Sequence, residues 1–102
     1  MLENIDLSVV VPCFNEEPCL PEFSRRMSLA CKASGVANYE IVYVNDGSND
    51  NSLKVLRDLQ QQDQCVRIID LARNYGHQLA LSAGLAHARG AMVLTIDADL
   101  QD

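Results

Sequence analysis

The chain has 102 residues and a mass of 11.3 kDa, room for a single domain or part of one, since domains most often run ~100–150 residues. Its 48% hydrophobic and 22% charged content is ordinary for a folded globular chain and excludes disordered, collagen-like and coiled-coil classes. The formal charge of −6, from 14 acidic against 8 basic residues, is the wrong sign for gripping a nucleic-acid backbone or an anionic lipid surface, so a phosphate-bearing ligand must be met by backbone N–H groups, a few local cations or a metal ion.

The opening residues, Met1 to Asp6, lack both the basic and the apolar stretch of a signal peptide. Leu7–Pro12 (LSVVVP) predicts a first buried strand. A helix follows, with Leu20, Phe23, Met27, Ala30 and Cys31 at helical spacing behind Pro18 and Pro21 and a stop at Gly35. Tyr39–Asn45 (YEIVYVN) predicts the second strand. Leu53, Leu56 and Leu59 then line a second helix behind the capping candidates Ser48, Asp50 and Asn51. Val66–Leu71 (VRIIDL) is the third strand. The third helix is His77–Arg89, closed by Gly90, and its small residues Ala80, Ser82, Ala83, Gly84 and Ala86 let it approach a sheet closely. Ala91–Asp97 (AMVLTID) is the fourth strand.

Nothing in the chain approaches the ~18 apolar residues of a membrane span. The cysteines at 13, 19, 31 and 65 are irregularly spaced with no C-x-x-C pair, which speaks for packing residues and a reducing cytosol rather than for zinc or disulfides. His77 and His87 read as surface residues of the third helix.

Strand starts at 7, 39, 66 and 91 lie 32, 27 and 25 residues apart, each about the length of a βαβ unit. The order β-α-β-α-β-α-β therefore predicts an α/β fold with a doubly wound, mostly parallel sheet and helices on both faces. Ligands of such sheets bind beyond the carboxyl ends of the strands, where strand order reverses. The four tips carry Cys13-Phe14-Asn15-Glu16-Glu17, Asp46-Gly47-Ser48, Arg73-Asn74-Tyr75-Gly76 and Asp97-Ala98-Asp99-Leu100-Gln101-Asp102.

Asp97-Ala98-Asp99 is the sharpest of these. Two carboxylates two residues apart at a strand end can converge on a hard divalent cation, Mg²⁺ or Mn²⁺, and still leave room for phosphate oxygens. Read more plainly, Asp97 is a helix cap while Asp99 and Asp102 are solvated. Asp46-Gly47-Ser48 is either a turn with a helix cap or a site where an acceptor-only carboxylate meets a base or ribose. Glu16 and Glu17 could simply complement the positive end of the first helix, and Phe14 could simply pack. Arg73 sits in a turn, where it could pair with a diphosphate. Neither G-x-G-x-x-G after the first strand nor a P-loop is present.

Taken together, Val9-Val10-Val11-Pro12-Cys13-Phe14-Asn15-Glu16-Glu17, Val44-Asn45-Asp46-Gly47-Ser48, Arg73-Asn74-Tyr75-Gly76 and Asp97-Ala98-Asp99-Leu100-Gln101-Asp102 resemble the N-terminal half of a family 2 glycosyltransferase of GT-A fold. Within that family the chain is similar to the polyprenyl-phosphate branch, which includes dolichol-phosphate mannosyltransferases and bacterial undecaprenyl-phosphate glucosyl- and aminoarabinosyltransferases. The resemblance spans roughly residues 6 to 102 and departs at Asn45, where the family often has a second aspartate.

What the resemblance implies is a nucleotide-sugar-binding half, residues 1–102, of an inverting hexosyltransferase. Its donor is a UDP- or GDP-sugar and its acceptor a polyprenyl phosphate, reached through the second half of the domain at the cytoplasmic face of a membrane. Pro12, Phe14 and Glu16 would border the base and ribose, Asp46 would bond the base, and Arg73 would sit near the donor phosphates. Asp97 would face the ribose or diphosphate. Asp97 and Asp99 would be the catalytic pair, and Asp99 and Gln101 would hold Mg²⁺ or Mn²⁺. The resemblance also implies that these 102 residues alone are inactive and prone to self-association through an uncovered sheet edge. The competing class is a non-catalytic nucleotide- or metal-binding module or a receiver-like signalling domain. The receiver reading wants a lysine at a later strand end, whereas the only lysines, Lys32 and Lys54, fall in helical segments.

Overall fold

The computed structural model of the chain describes residues 4–98. The element order is β1 (Leu7–Cys13), α1 (Leu20–Ala33), β2 (Tyr39–Asn45), α2 (Ser52–Gln62), β3 (Val66–Asp70), α3 (His77–His87) and β4 (Met92–Thr95). All pairings are parallel, and the strands lie in the order β3-β2-β1-β4. The chain therefore lays β2 and β3 to one side of β1 and then crosses to the other side for β4, which puts the topological switch between β1 and β4.

Period-two alternation in β1 and β2 sorts the apolar side chains onto two faces. In register, Val9 sits beside Ile41, Val10 beside Val42 and Val11 beside Tyr43. Val9, Val11, Ile41 and Tyr43 join Leu20, Phe23, Cys31 and Leu56 of α1 and α2 in the larger core, where Phe23 meets Tyr43 edge to face at 6.2 Å. Val10, Val42 and Val44 face α3 through Ala80. The close approach expected from the small residues of α3 falls on Ala80 and Gly84, which are buried; Ser82 and Ala86 point to solvent. A Cβ on Gly84 would run into Val10 Cγ1 and come within 2.9 Å of Val44 Cγ2.

The helices begin and end close to where the spacing puts them. Pro21 stands in the first turn of α1, where its missing N–H costs nothing. α3 stops at His87 rather than Arg89, because Ala88 turns extended and the Arg89 N–H goes instead to Glu40. β4 is shorter than Ala91–Asp97; its ladder with β1 runs from Met92 opposite Leu7 to Thr95 opposite Val10, and all four of its residues are exposed.

At the amino-terminal end of the sheet a charge is buried. The Glu40 side chain is only 2% exposed. It accepts from the Ser8 hydroxyl at 2.6 Å, Arg67 Nη1 at 2.8 Å, Arg89 Nε at 3.0 Å and the Arg89 backbone N–H at 2.9 Å, while the Gly90 N–H donates to Ser8 Oγ at 2.8 Å. Four non-adjacent segments are thus tied together at the pole opposite the strand tips.

Candidate functional site

The loops after β1, β2 and β3 are stitched to one another at the carboxyl end of the sheet. Asn15 takes a left-handed φ of 54°, a conformation Asn tolerates better than most residues. Its Oδ1 accepts the Asn49 N–H at 2.7 Å, and its own N–H donates to Ser48 Oγ at 2.9 Å. The Glu16 N–H donates to Ser52 Oγ at 3.1 Å, and Glu17 Oε1 accepts the Asn51 N–H at 3.1 Å.

Asn45, where the family often has aspartate, uses both ends of its amide. Its Oδ1 accepts from Ser48 Oγ at 2.6 Å and its Nδ2 donates to Asp70 Oδ1 at 3.0 Å. A carboxylate at this buried position would face Asp70 with like charge and nothing to donate.

Asp46 is 3% exposed and its carboxylate closes the loop after β3. Oδ1 accepts the Tyr75 N–H at 2.8 Å, and Oδ2 accepts the Gly76 N–H at 3.1 Å and Asn74 Nδ2 at 3.2 Å. Gly47 makes that crossing feasible. Its φ is +67°, and a Cβ there would collide with the Arg73–Asn74 peptide and lie 2.8 Å from Arg73 Cα.

These contacts wall a cavity of about 480 Å³ at the switch between β1 and β4. It is lined by Pro12, Cys13, Phe14 and Glu16 from the end of β1, Asp46 after β2, Asn74, Gly76 and His77 at the entry to α3, and Asp97 and Ala98 after β4. Five of the expected residues, Pro12, Phe14, Glu16, Asp46 and Asp97, are brought together there. Asp97 is carried next to Ile96, whose N–H donates to Val10 O at 3.1 Å, and its side chain is 69% exposed. Cys13 donates its thiol to Val44 O at 3.5 Å; burial, reinforced by Glu16, Asp50 and Asp46, pushes that thiol up to about 12.

Arg73 is the expected donor-binding residue that the structure puts elsewhere. Its guanidinium lies 4.8 Å from the Tyr75 ring centroid, a cation–π distance, and it borders a separate groove of about 510 Å³ with Gly47, Ser48 and Asp70. The Arg73 backbone itself lies close against Gly47. His77, a surface residue of α3 as its sequence position suggests, also reaches this cavity. Its Nε2 stands 3.9 Å from Asp97 Oδ1, and it lines both the main cavity and an adjoining one of about 290 Å³ shared with Pro12, Leu81, Thr95, Ile96 and Asp97. Its place directly after Gly76, at the start of the helix entered from a strand-tip loop, was the available signal.

Asp99 and Gln101, expected as metal ligands, lie outside the described residues. Among the described residues no group of three His, Cys, Asp or Glu side chains is gathered to hold a metal ion. Of the carboxylates lining the cavity, Asp46 has both oxygens taken by Tyr75, Gly76 and Asn74, while the exposed Asp97 is an oxygen donor of the kind that suits a hard cation such as Mg²⁺ or Mn²⁺. No helix among the described residues is long and apolar enough to cross a membrane.

Comparison with known proteins agrees with the strand-tip motifs. The family model of glycosyl transferase family 2 matches residues 8–102. The chain is 44% identical over 102 residues to an uncharacterized glycosyltransferase, YkcC, of Bacillus subtilis, covering all of this chain and 31% of that protein. It is 48% identical over 100 residues to an undecaprenyl-phosphate 4-deoxy-4-formamido-L-arabinose transferase of Pseudomonas paraeruginosa, covering 96% of this chain and 29% of that one. Among solved structures, S. aureus TarS 1–349 in complex with UDP superimposes with a TM-score of 0.79 at 28% identity, over 93% of this chain and 28% of that chain. The chain thus spans about a third of the length of the relatives it matches.

Proposed function

The chain belongs to glycosyl transferase family 2, and from that membership we propose that it is the donor-binding half, residues 1–102, of an enzyme that moves a hexose-like sugar from a nucleotide diphosphate to a polyprenyl phosphate with inversion at the anomeric carbon. The observation that carries the reading is the cavity at the β1–β4 switch, where Pro12, Phe14, Glu16, Asp46 and Asp97 converge from three separate segments in the position that open α/β sheets reserve for ligands. The relative named for undecaprenyl phosphate supports the choice of acceptor, and the TarS complex with UDP supports a nucleotide donor.

In this reading Phe14 and Pro12 border the base and ribose with Glu16. Asp46 acts on the base side while holding the loop that carries Tyr75 and Gly76. Asp97 faces the ribose or diphosphate and forms the catalytic pair with Asp99. Asp99 and Gln101 would hold Mg²⁺ or Mn²⁺, which when bound would supply charge stabilisation to a departing nucleoside diphosphate. The acceptor phosphate is anionic at neutral pH and so needs less help from a base than an alcohol would. Arg73 reaches the donor phosphates only if its guanidinium leaves the Tyr75 ring. The enzyme works at the cytoplasmic face of a membrane, and the 102 residues alone are inactive and self-associate.

The test is calorimetric titration of the full-length protein carrying this chain with UDP- and GDP-sugars in Mn²⁺, alongside sugar transfer to a polyprenyl phosphate. Binding of one donor class, with transfer lost in Asp99→Asn, is the expected result. A protein that binds no nucleotide sugar overturns the reading, and stabilisation by acetyl phosphate instead would favour the receiver-like alternative.

A further inference from the structure

We propose that His77 is a donor-diphosphate contact, standing where the nucleoside and sugar ends of the ligand meet. The inference rests on the donor reading above and adds a residue to it. A nucleotide sugar has two lobes joined by a diphosphate. The strand-tip end of the molecule offers two adjoining cavities of about 480 and 290 Å³, and the residues common to both walls are Pro12, His77 and Asp97. A two-lobed ligand filling both would carry its linking diphosphate along the wall they share, beside His77 and Asp97.

The donors at that junction point the same way. Both Asp46 carboxylate oxygens are taken by Tyr75, Gly76 and Asn74, and the Arg73 guanidinium lies over Tyr75, so among the described residues of the shared wall the His77 ring is the side-chain donor offered to a phosphate oxygen. Its imidazole is free of the core, with 61% of the side chain exposed, and Nε2 is 3.9 Å from Asp97 Oδ1. That separation is too long for a hydrogen bond, so the ring nitrogen remains able to donate to a phosphate oxygen. Asp46 fixes the ring's origin: its carboxylate holds the Tyr75 and Gly76 N–H groups directly ahead of His77. The first turn of α3 adds N–H groups without intrahelical partners on the same side.

The experiment compares wild type, His77→Ala and His77→Lys in the full-length protein, with the nucleoside diphosphate followed by calorimetry and the matching nucleoside by ligand-detected NMR. Loss of one charge-assisted hydrogen bond should weaken the diphosphate roughly 10- to 100-fold in His77→Ala and leave the nucleoside unchanged, while His77→Lys recovers most of the diphosphate affinity. Circular dichroism should be the same for all three. Equal diphosphate binding by wild type and His77→Ala, or an equal loss for diphosphate and nucleoside, overturns the assignment of His77. A wild-type protein that binds neither ligand overturns the donor reading itself and this inference with it.

Discussion

Asp46 accepts the backbone N–H of Tyr75 at 2.8 Å across 29 positions of sequence. The same carboxylate holds the Gly76 N–H and the Asn74 side chain, so the residue that looks from the sequence like a ligand contact is also the anchor of a loop. Its removal leaves the part-buried Tyr75 and Gly76 N–H groups without their acceptor, each hydrogen bond to a charged group being worth ~1.5–3 kcal/mol. Asp46→Ala should therefore lower stability by ~3 kcal/mol in urea unfolding and weaken donor binding as well. Asp46→Asn, which keeps one carbonyl oxygen, should recover part of both. An unchanged urea midpoint in Asp46→Ala would show that the loop stands without its anchor.

Glu40 governs the acid limit. Burial raises its pKa, but the Ser8 hydroxyl, the Arg89 N–H and the guanidiniums of Arg67 and Arg89 outweigh burial and hold it at about 2 rather than 4.5. The folded value lies below the unfolded one, so the stability it contributes is complete above about pH 4.5 and drains away as pH falls toward about 2. Glu40→Gln should flatten that acid limb. It should also cost ~3 kcal/mol at neutral pH, the low end for a broken buried pair, because the two arginines can turn to water. Urea titrations between pH 2 and 7 read both effects.

Gly84 sets two effects against each other. Alanine would gain up to ~1 kcal/mol of helix propensity, but its Cβ would press into Val10 and Val44, and overpacking of that kind costs ~1–3 kcal/mol. Gly84→Ala should be destabilised on balance, with a lower melting temperature. A rise in melting temperature would mean that α3 can slide off the sheet without loss.

Cys13 lines the cavity, yet it is 4% exposed and its thiol is pushed up to about 12. Thiolate is the reactive form. Iodoacetamide at pH 8 should leave Cys13 unmodified in the native protein and label it after denaturation, as read by peptide mass spectrometry.

The strands were legible because β-branched runs such as Val9-Val10-Val11 and Ile41-Val42-Tyr43-Val44 leave few other structures open, and their spacing dictates parallel pairing. Part of the site was legible for the same reason, since the loop after a parallel strand must lie at one end of the sheet. Three features were not. Arg73 looks from composition like a phosphate contact, and its stacking over Tyr75 leaves no mark in the sequence pattern. His77 looks like a helix surface residue, which it is, and only the fold brings Asp97 beside it from the end of β4. The Glu40 cluster joins Ser8, Arg67 and Arg89, none of which shares a local pattern with it.

The short ladder of β4 has a consequence for how the site responds over time. β4 is bonded to β1 through four register pairs, and its residues are exposed, whereas β1 and β2 are buried almost throughout. Local opening is least costly where buried contacts are few, so in the 102-residue chain, where β4 is an outer strand of the described sheet, its amides should exchange with deuterium ahead of those of β1. The Ile96 amide, bonded to Val10 O, sits immediately before Asp97. A ligand bound at Asp97, as proposed above, would sit one residue from the Ile96–Val10 bond, so its occupancy would favour the paired position of that strand end. Slower exchange at Ile96 with donor bound is the sign of this coupling between ligand occupancy and the opening of one strand.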